Sequence, residues 1–229
     1  MKIIKVRDSK IGLTIAKNLL YRNCNNKTTL FLSGGSTPKG LYKLIAKEKK
    51  LKVGAVALID ERFEDKMHDN SNEKMIKDTN LLAYFEDKKI RFYPILKDKD
   101  IEQTTKDYDE TLRYLFNHFP KNIGILGIGE DGHTAGIPAI EKFSKEILND
   151  KTSLVRFYED KNSFYKQRIT STFIALQKLD LIIILAFGKP KKKALTLMFE
   201  KGNIGKIPAR FYNQNNISSK TILITDQKL

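Results

Sequence analysis

The sequence predicts an α/β fold: a mostly parallel sheet with helices on both faces. Three observations lead there. Short apolar, β-branched runs alternate with amphipathic stretches along nearly the whole chain, which is the order that builds strand–helix–strand units. Two of the runs, residues 123–128 and 181–187, are apolar with only glycine interrupting the first, as strands buried on both faces of a parallel sheet require. Several runs end in loops rich in Gly, Ser or acids, and open α/β sheets bind their ligands at that carboxyl edge.

The elements follow in order. Residues 3–6 read as a short strand and 9–21 as a helix by apolar spacing. Residues 28–32 form a strand that ends in Ser33-Gly34-Gly35-Ser36-Thr37-Pro38, and Leu41, Tyr42, Leu44 and Ile45 then carry a helix whose first turn tolerates Pro38. Residues 53–59 make a strand ending at Asp60-Glu61-Arg62. A polar loop runs to Asn70, and one helix is predicted over 71–82. Residues 90–93 read as a strand, and 101–119 as a longer helix with Tyr108, Leu112, Leu115, Phe116 and Phe119 on its apolar side, stopped by Pro120. After the strand at 123–128 come a helix at 140–148, a strand at 154–158, the segment 167–170, a strand at 181–187, a helix at 191–199 and a final strand at 221–225. The crossovers should be right-handed. No repeat, low-complexity tract or linker divides the chain, so one domain over residues 1–229 is the expectation.

Composition narrows the partners. At 229 residues with 41% hydrophobic content, the chain can bury a full core. Its longest apolar run, 181–187, is far too short to span a bilayer. The opening Met-Lys-Ile-Ile-Lys-Val lacks the features of a signal peptide, so the expectation is a cytoplasmic protein without membrane partners. The single cysteine, Cys24, excludes an internal disulfide and a cysteine-built metal cage. Three widely spaced histidines offer no metal set, and there is no Gly-x-Ser-x-Gly elbow. A net charge of +15 attracts anions, sugar phosphates among them. Lysines are scattered, and the dense run Lys189-Pro190-Lys191-Lys192-Lys193 has no interleaved aromatics for base stacking. Specific nucleic-acid binding is therefore not expected, although a basic nucleic-acid module remains a distant alternative.

Four loops carry the chemistry. Gly127-Ile-Gly129-Glu130-Asp131-Gly132-His133 follows a buried strand and combines flexible backbone with two acids and a histidine. Gly127-x-Gly129-x-x-Gly132 also spells a dinucleotide fingerprint, but Glu130 and Asp131 would repel a pyrophosphate, and Lys151-Thr152 stands where the ribose-binding acid belongs. Ser33 to Pro38 joins strand to helix, so its backbone N–H groups can converge on an anion, or simply cap the helix. Asp60-Glu61-Arg62 places an acid next to a base at the same sheet edge, and Arg168 with Lys191 or Lys192 are candidates for phosphate recognition.

Taken together, these loops resemble those of 6-phosphogluconolactonases, in the superfamily that also holds glucosamine-6-phosphate deaminases. The matching pieces are Leu32-Ser-Gly-Gly-Ser-Thr-Pro38 with Leu41-Tyr42, Asp60-Glu-Arg62 with Ser71-Asn72 and Leu81-Leu82, and Leu126-Gly-Ile-Gly-Glu-Asp-Gly-His-Thr-Ala135. Weaker matches are Arg168-Ile-Thr170, Gly188 with Lys191, and Ile207-Pro-Ala209. The resemblance implies Rossmann-like layering and hydrolysis of 6-phosphogluconolactone to 6-phosphogluconate in the oxidative branch of the pentose phosphate pathway, with no metal or cofactor. By matched position it implies His133 as the base that activates water, Asp131 as the group that orients it, and Arg62 with backbone N–H groups at the oxyanion. Ser33, Gly34, Gly35, Ser36, Thr37 and Asp60 would line the sugar-phosphate pocket, with Arg168 and Lys191 on the phosphate. A monomer or small homo-oligomer is expected. The deaminase is the alternative, but that branch has an Asn-Glu-Pro after its histidine loop where this chain reads Gly136-Ile137-Pro138, with no acid until Glu141. The same stretch is one residue shorter than in the lactonases.

Overall fold

The structure, a computed structural model, describes residues 1–161 and 165–228. In chain order its elements are β1 (Lys2–Lys5), α1 (Ser9–Asn23), β2 (Thr28–Leu32), α2 (Ser36–Glu48), β3 (Ala55–Leu58), β4 (Asp60–Arg62), α3 (Asn72–Lys77), α4 (Leu81–Asp87) and β5 (Arg91–Tyr93). They continue as α5 (Ile101–His118), β6 (Lys121–Gly127), α6 (Glu141–Asn149), β7 (Val155–Glu159), β8 (Gln167–Ser171), α7 (Phe173–Gln177), β9 (Leu181–Ala186) and α8 (Lys191–Phe199). A 3₁₀ turn (Pro208–Asn213), α9 (Asn215–Ser218) and β10 (Thr221–Thr225) complete the set.

Seven strands form one sheet in the order β1-β10-β9-β6-β2-β3-β5, and every pairing in it is parallel. β2 and β3 are buried throughout, β6 is buried except at its two ends, and β9 is buried except at its first residue. Helices therefore cover both faces, as the unbroken apolar runs require. The predicted α/β class holds. Successive strands run outward from β2 through β3 to β5, then return to β6 on the other side of β2. The carboxyl ends of β2 and β6 thus flank the point where the winding reverses, which is where open sheets of this kind open a crevice.

Two local readings change. Asp60-Glu61-Arg62 is not a loop at the sheet edge but β4, the first strand of a separate antiparallel sheet ordered β4-β8-β7. The chain leaves the main sheet at Leu58, whose N–H and C=O both bond the buried Tyr108 hydroxyl, at 2.8 and 2.6 Å. Ile59 still reaches back with its N–H to Leu32, while its carbonyl accepts from the backbone N–H and hydroxyl of Ser171. One residue thus stitches the two sheets together. The helix predicted over 71–82 is two helices, broken at Asn80, which takes the left-handed conformation that Asn tolerates better than most residues. His118 is exposed in the last turn of α5, where a basic side chain suits the helix C-terminus, and it stacks on Tyr114.

Candidate active site

The crevice at the reversal point is a cleft of about 480 Å³. Its wall brings together Ser33 to Thr37 after β2, Asp60 and Arg62 on β4, Asp131 and His133 after β6, Arg168 on β8 and Lys191 at the start of α8. Of the lysine run, Lys191 is half-buried at the cleft, whereas Lys192 and Lys193 are exposed and do not line it.

The histidine loop is shaped by its own short-range contacts. The Gly129 N–H donates to the His133 carbonyl at 2.8 Å and the Gly132 N–H to the Gly129 carbonyl at 3.0 Å, which curls the chain back on itself. Gly132 sits at φ +90°, where a side chain would be strained. A Cβ on Gly129 would lie 2.0 Å from the His133 ring, so this position must be glycine for the imidazole to lie where it does. Beyond His133, Ala135 (φ +54°) and Gly136 (φ +75°) are the two central residues of a turn closed by Thr134 and Ile137, which exchange hydrogen bonds of 3.3 and 2.7 Å. Two successive positive φ values at the centre of a hairpin are the type I′ pattern. Gly136 is also required because a Cβ there would come within 2.6 Å of Asp60. The shortened Gly136-Ile137-Pro138 stretch is therefore a closed turn whose Ile137 is fully buried. Side chains tie that turn down: Thr134 bonds Gly127 and Tyr212 at 2.8 Å each, the Tyr158 hydroxyl donates to the Gly136 carbonyl, and the Thr170 hydroxyl donates to the Ala135 carbonyl.

Within this loop, one Asp131 carboxylate oxygen lies 2.6 Å from His133 Nδ1 and accepts the His133 backbone N–H at 3.0 Å. Partial burial pushes the Asp131 carboxyl up, but the ring and backbone of His133 outweigh it and hold the group at about 2. Asp131 is then a carboxylate at neutral pH. With that carboxylate as acceptor Nδ1 is the donor, and a neutral ring in this tautomer turns its Nε2 lone pair outward, which is the arrangement of a general base.

The second set of groups is cationic. Arg62 donates Nη1 to the Asn70 carbonyl at 2.7 Å and to Asn72 Oδ1 at 2.5 Å, while its buried Nε has no partner among the described residues. Asn72 is itself fixed, its side-chain amide donating to the Asp60 carbonyl at 2.8 Å. It packs so tightly on Gly34 that a Cβ there would lie 1.7 Å from Oδ1. Beneath it, the fully buried Glu61 accepts the N–H groups of Arg62, Asn72 and Glu73 and the Ser71 hydroxyl, over 2.7–3.1 Å. Burial pushes Glu61 up to about 7 against the pull of those N–H groups. Arg168 pairs with Asp60 at 3.8 Å. α2 begins at Ser36 without a side-chain cap, so its first N–H groups and the positive end of its dipole face the cleft. The buried Ser33 hydroxyl has no partner among the described residues, and the Ser33 carbonyl is pinned by the Tyr42 hydroxyl at 2.7 Å. Ahead of Lys191, the Gly188 N–H is held by the Asp226 carboxylate at 2.9 Å.

Sequence reasoning named Asn72 only as part of the resemblance. It missed Tyr165 and Asp226 altogether. Tyr165 lines the cleft with Arg62 and Arg168 against its ring, and nothing around it in the sequence marks it. Among the described residues no three His, Cys, Asp or Glu side chains are grouped to hold a metal ion, and no helix is long and apolar enough to cross a membrane.

Fold and site together define a doubly wound α/β protein whose cleft joins an acid-oriented histidine to a cluster of cations. The family described as glucosamine-6-phosphate isomerases/6-phosphogluconolactonase matches residues 11–223, and the chain belongs to it. A 6-phosphogluconolactonase from Rhizobium meliloti is 28% identical over 201 residues, covering 87% of this chain and 84% of that protein. A glucosamine-6-phosphate deaminase from Lactococcus lactis is 28% identical over 220 residues, covering 91% and 90%. The structure of a 6-phosphogluconolactonase from Plasmodium vivax shares the fold with a TM-score of 0.79 at 22% identity, over 99% of this chain and 91% of that one.

Proposed function

We propose that the protein hydrolyses 6-phosphogluconolactone to 6-phosphogluconate, with His133 as the base. The observation that carries this reading is the Asp131–His133 pair, 2.6 Å apart, in a cleft that also presents Arg62, Arg168 and Lys191. Nε2 of His133 takes a proton from a water molecule as the water oxygen bonds to the lactone carbonyl carbon. The Asp131 carboxylate stabilises the imidazolium so formed. Negative charge gathers on the carbonyl oxygen, where loop N–H groups and the Arg62 guanidinium meet it. When the intermediate collapses, the bond to the ring oxygen breaks and that oxygen recovers the proton from Nε2. Arg168, Lys191 and the first turn of α2, with Ser33, Gly34, Gly35, Ser36 and Thr37 around it, hold the phosphate.

The deaminase reading draws on the Lactococcus relative and the shared family. Ring opening followed by proton transfer at two carbons calls on more acid–base groups than one hydrolysis does. The segment after the histidine loop, where the deaminase branch carries an acid, here supplies none, and its Ile137 is buried. That favours the lactonase. Purified protein assayed on both substrates decides between them: lactone hydrolysis well above the spontaneous rate is expected. Ammonia release from glucosamine 6-phosphate with no lactone hydrolysis overturns the proposal.

A further inference from the structure

Arg62 and Arg168 are register partners, directly opposite each other across the antiparallel β4–β8 pair. Like charges in that relation destabilise a sheet. Each guanidinium has separate polar support, Asp60 for Arg168 and the Asn70–Asn72 acceptors for Arg62. One group serves both: the Tyr165 ring centroid lies 4.4 Å from the Arg62 guanidinium carbon and 5.0 Å from that of Arg168. An aromatic face is negative at its centre and attracts a guanidinium within about 6 Å. The ring thus compensates two repelling cations at once and sets how far apart they stand.

We propose that Tyr165 is a positioning residue for the reaction, the spacer that fixes the separation between an arm for the phosphate (Arg168) and an arm for the carbonyl oxygen (Arg62). This rests on the lactonase reading. The two ends of one substrate must be met together, so the spacing of the arms matters as much as their charge. Phenylalanine at this position keeps the ring face and loses only the hydroxyl. Leucine fills much of the space without the face.

The experiment compares Tyr165→Leu and Tyr165→Phe with the unaltered protein, by steady-state kinetics on the lactone and by calorimetric titration with inorganic phosphate. For Tyr165→Leu, KM should rise and kcat fall, each by about 3–20-fold, and phosphate binding should weaken by a similar factor. Tyr165→Phe should stay within about twofold of the unaltered protein on all three. Unchanged constants for the leucine variant overturn the proposal, as does a change in kcat alone. A phenylalanine variant as impaired as the leucine one also overturns it, because the effect then belongs to the hydroxyl. If the unaltered protein fails to hydrolyse the lactone, the lactonase reading falls by itself. The phosphate titration then decides the role of the ring: weaker binding in the leucine variant alone supports it, and equal binding in all three sinks it.

Discussion

The histidine loop and the arginine pair face the same cleft but are built in opposite ways. The loop from Gly127 to Pro138 is determined locally: Asp131 reaches its partner two residues away, Gly129 leaves room for the ring, and Ala135-Gly136 closes the turn. The arginines are brought together by distant pairing, since β4 and β8 meet only after the chain has crossed the main sheet. A site can thus have one part written in a short motif and another that exists only in the tertiary fold. The local part should be sensitive to single atoms placed in the loop. The distant part should be sensitive to whatever holds two strands in register.

The sharpest break in the local part is at the base. His133→Ala should lower kcat by about 10²–10⁴-fold with the fold intact by circular dichroism, and near-normal turnover removes His133 from the chemistry. Gly129→Ala leaves the base in place but drives a methyl group into its ring. Misplacement of about 1 Å can cost about 10²-fold, so kcat should fall by about that factor while KM moves little. A rate equal to the parent's means that the ring is free to lie elsewhere.

On the distant part, Arg168→Ala should act mainly on KM, raising it by about 10–100-fold, because a phosphate grip is shared by ground and transition states. An unchanged KM takes Arg168 off the substrate. The smallest effect concerns the support beneath Arg62. Glu61, raised to about 7 when folded from 4.5, binds more protons in the folded state than in the unfolded one between those values. Its contribution is therefore fully present below about pH 4.5 and is lost as pH rises through 7. The urea midpoint should fall from pH 5 to pH 8, and less so in Glu61→Gln, which starts lower because it loses acceptors for its N–H donors. Parallel pH curves for the two proteins contradict this account.

Much of the molecule was legible because it is local. Apolar runs without alternation marked β2, β3, β6 and β9, and the loops after β2 and β6 announced themselves through Gly, Ser and ionisable residues. What escaped depends on partners far along the chain. The Asp60–Arg62 segment looked like a loop because its three polar residues carry no strand pattern, and only β8 makes them a strand. Tyr165 is an ordinary aromatic until two arginines lie against it. The break at Asn80 is a left-handed residue that apolar spacing does not register. Lys191, the first residue of α8, lines the cleft and Lys192 does not, a distinction that the run of lysines does not encode.

A crystal structure with 6-phosphogluconate bound tests the assignment of the cleft most directly. The account predicts the product's C1 carboxylate within hydrogen-bond reach of His133 Nε2 and Arg62, and the phosphate on Arg168, Lys191 and the first turn of α2. A product bound with its phosphate beside His133, or outside this cleft, would contradict it.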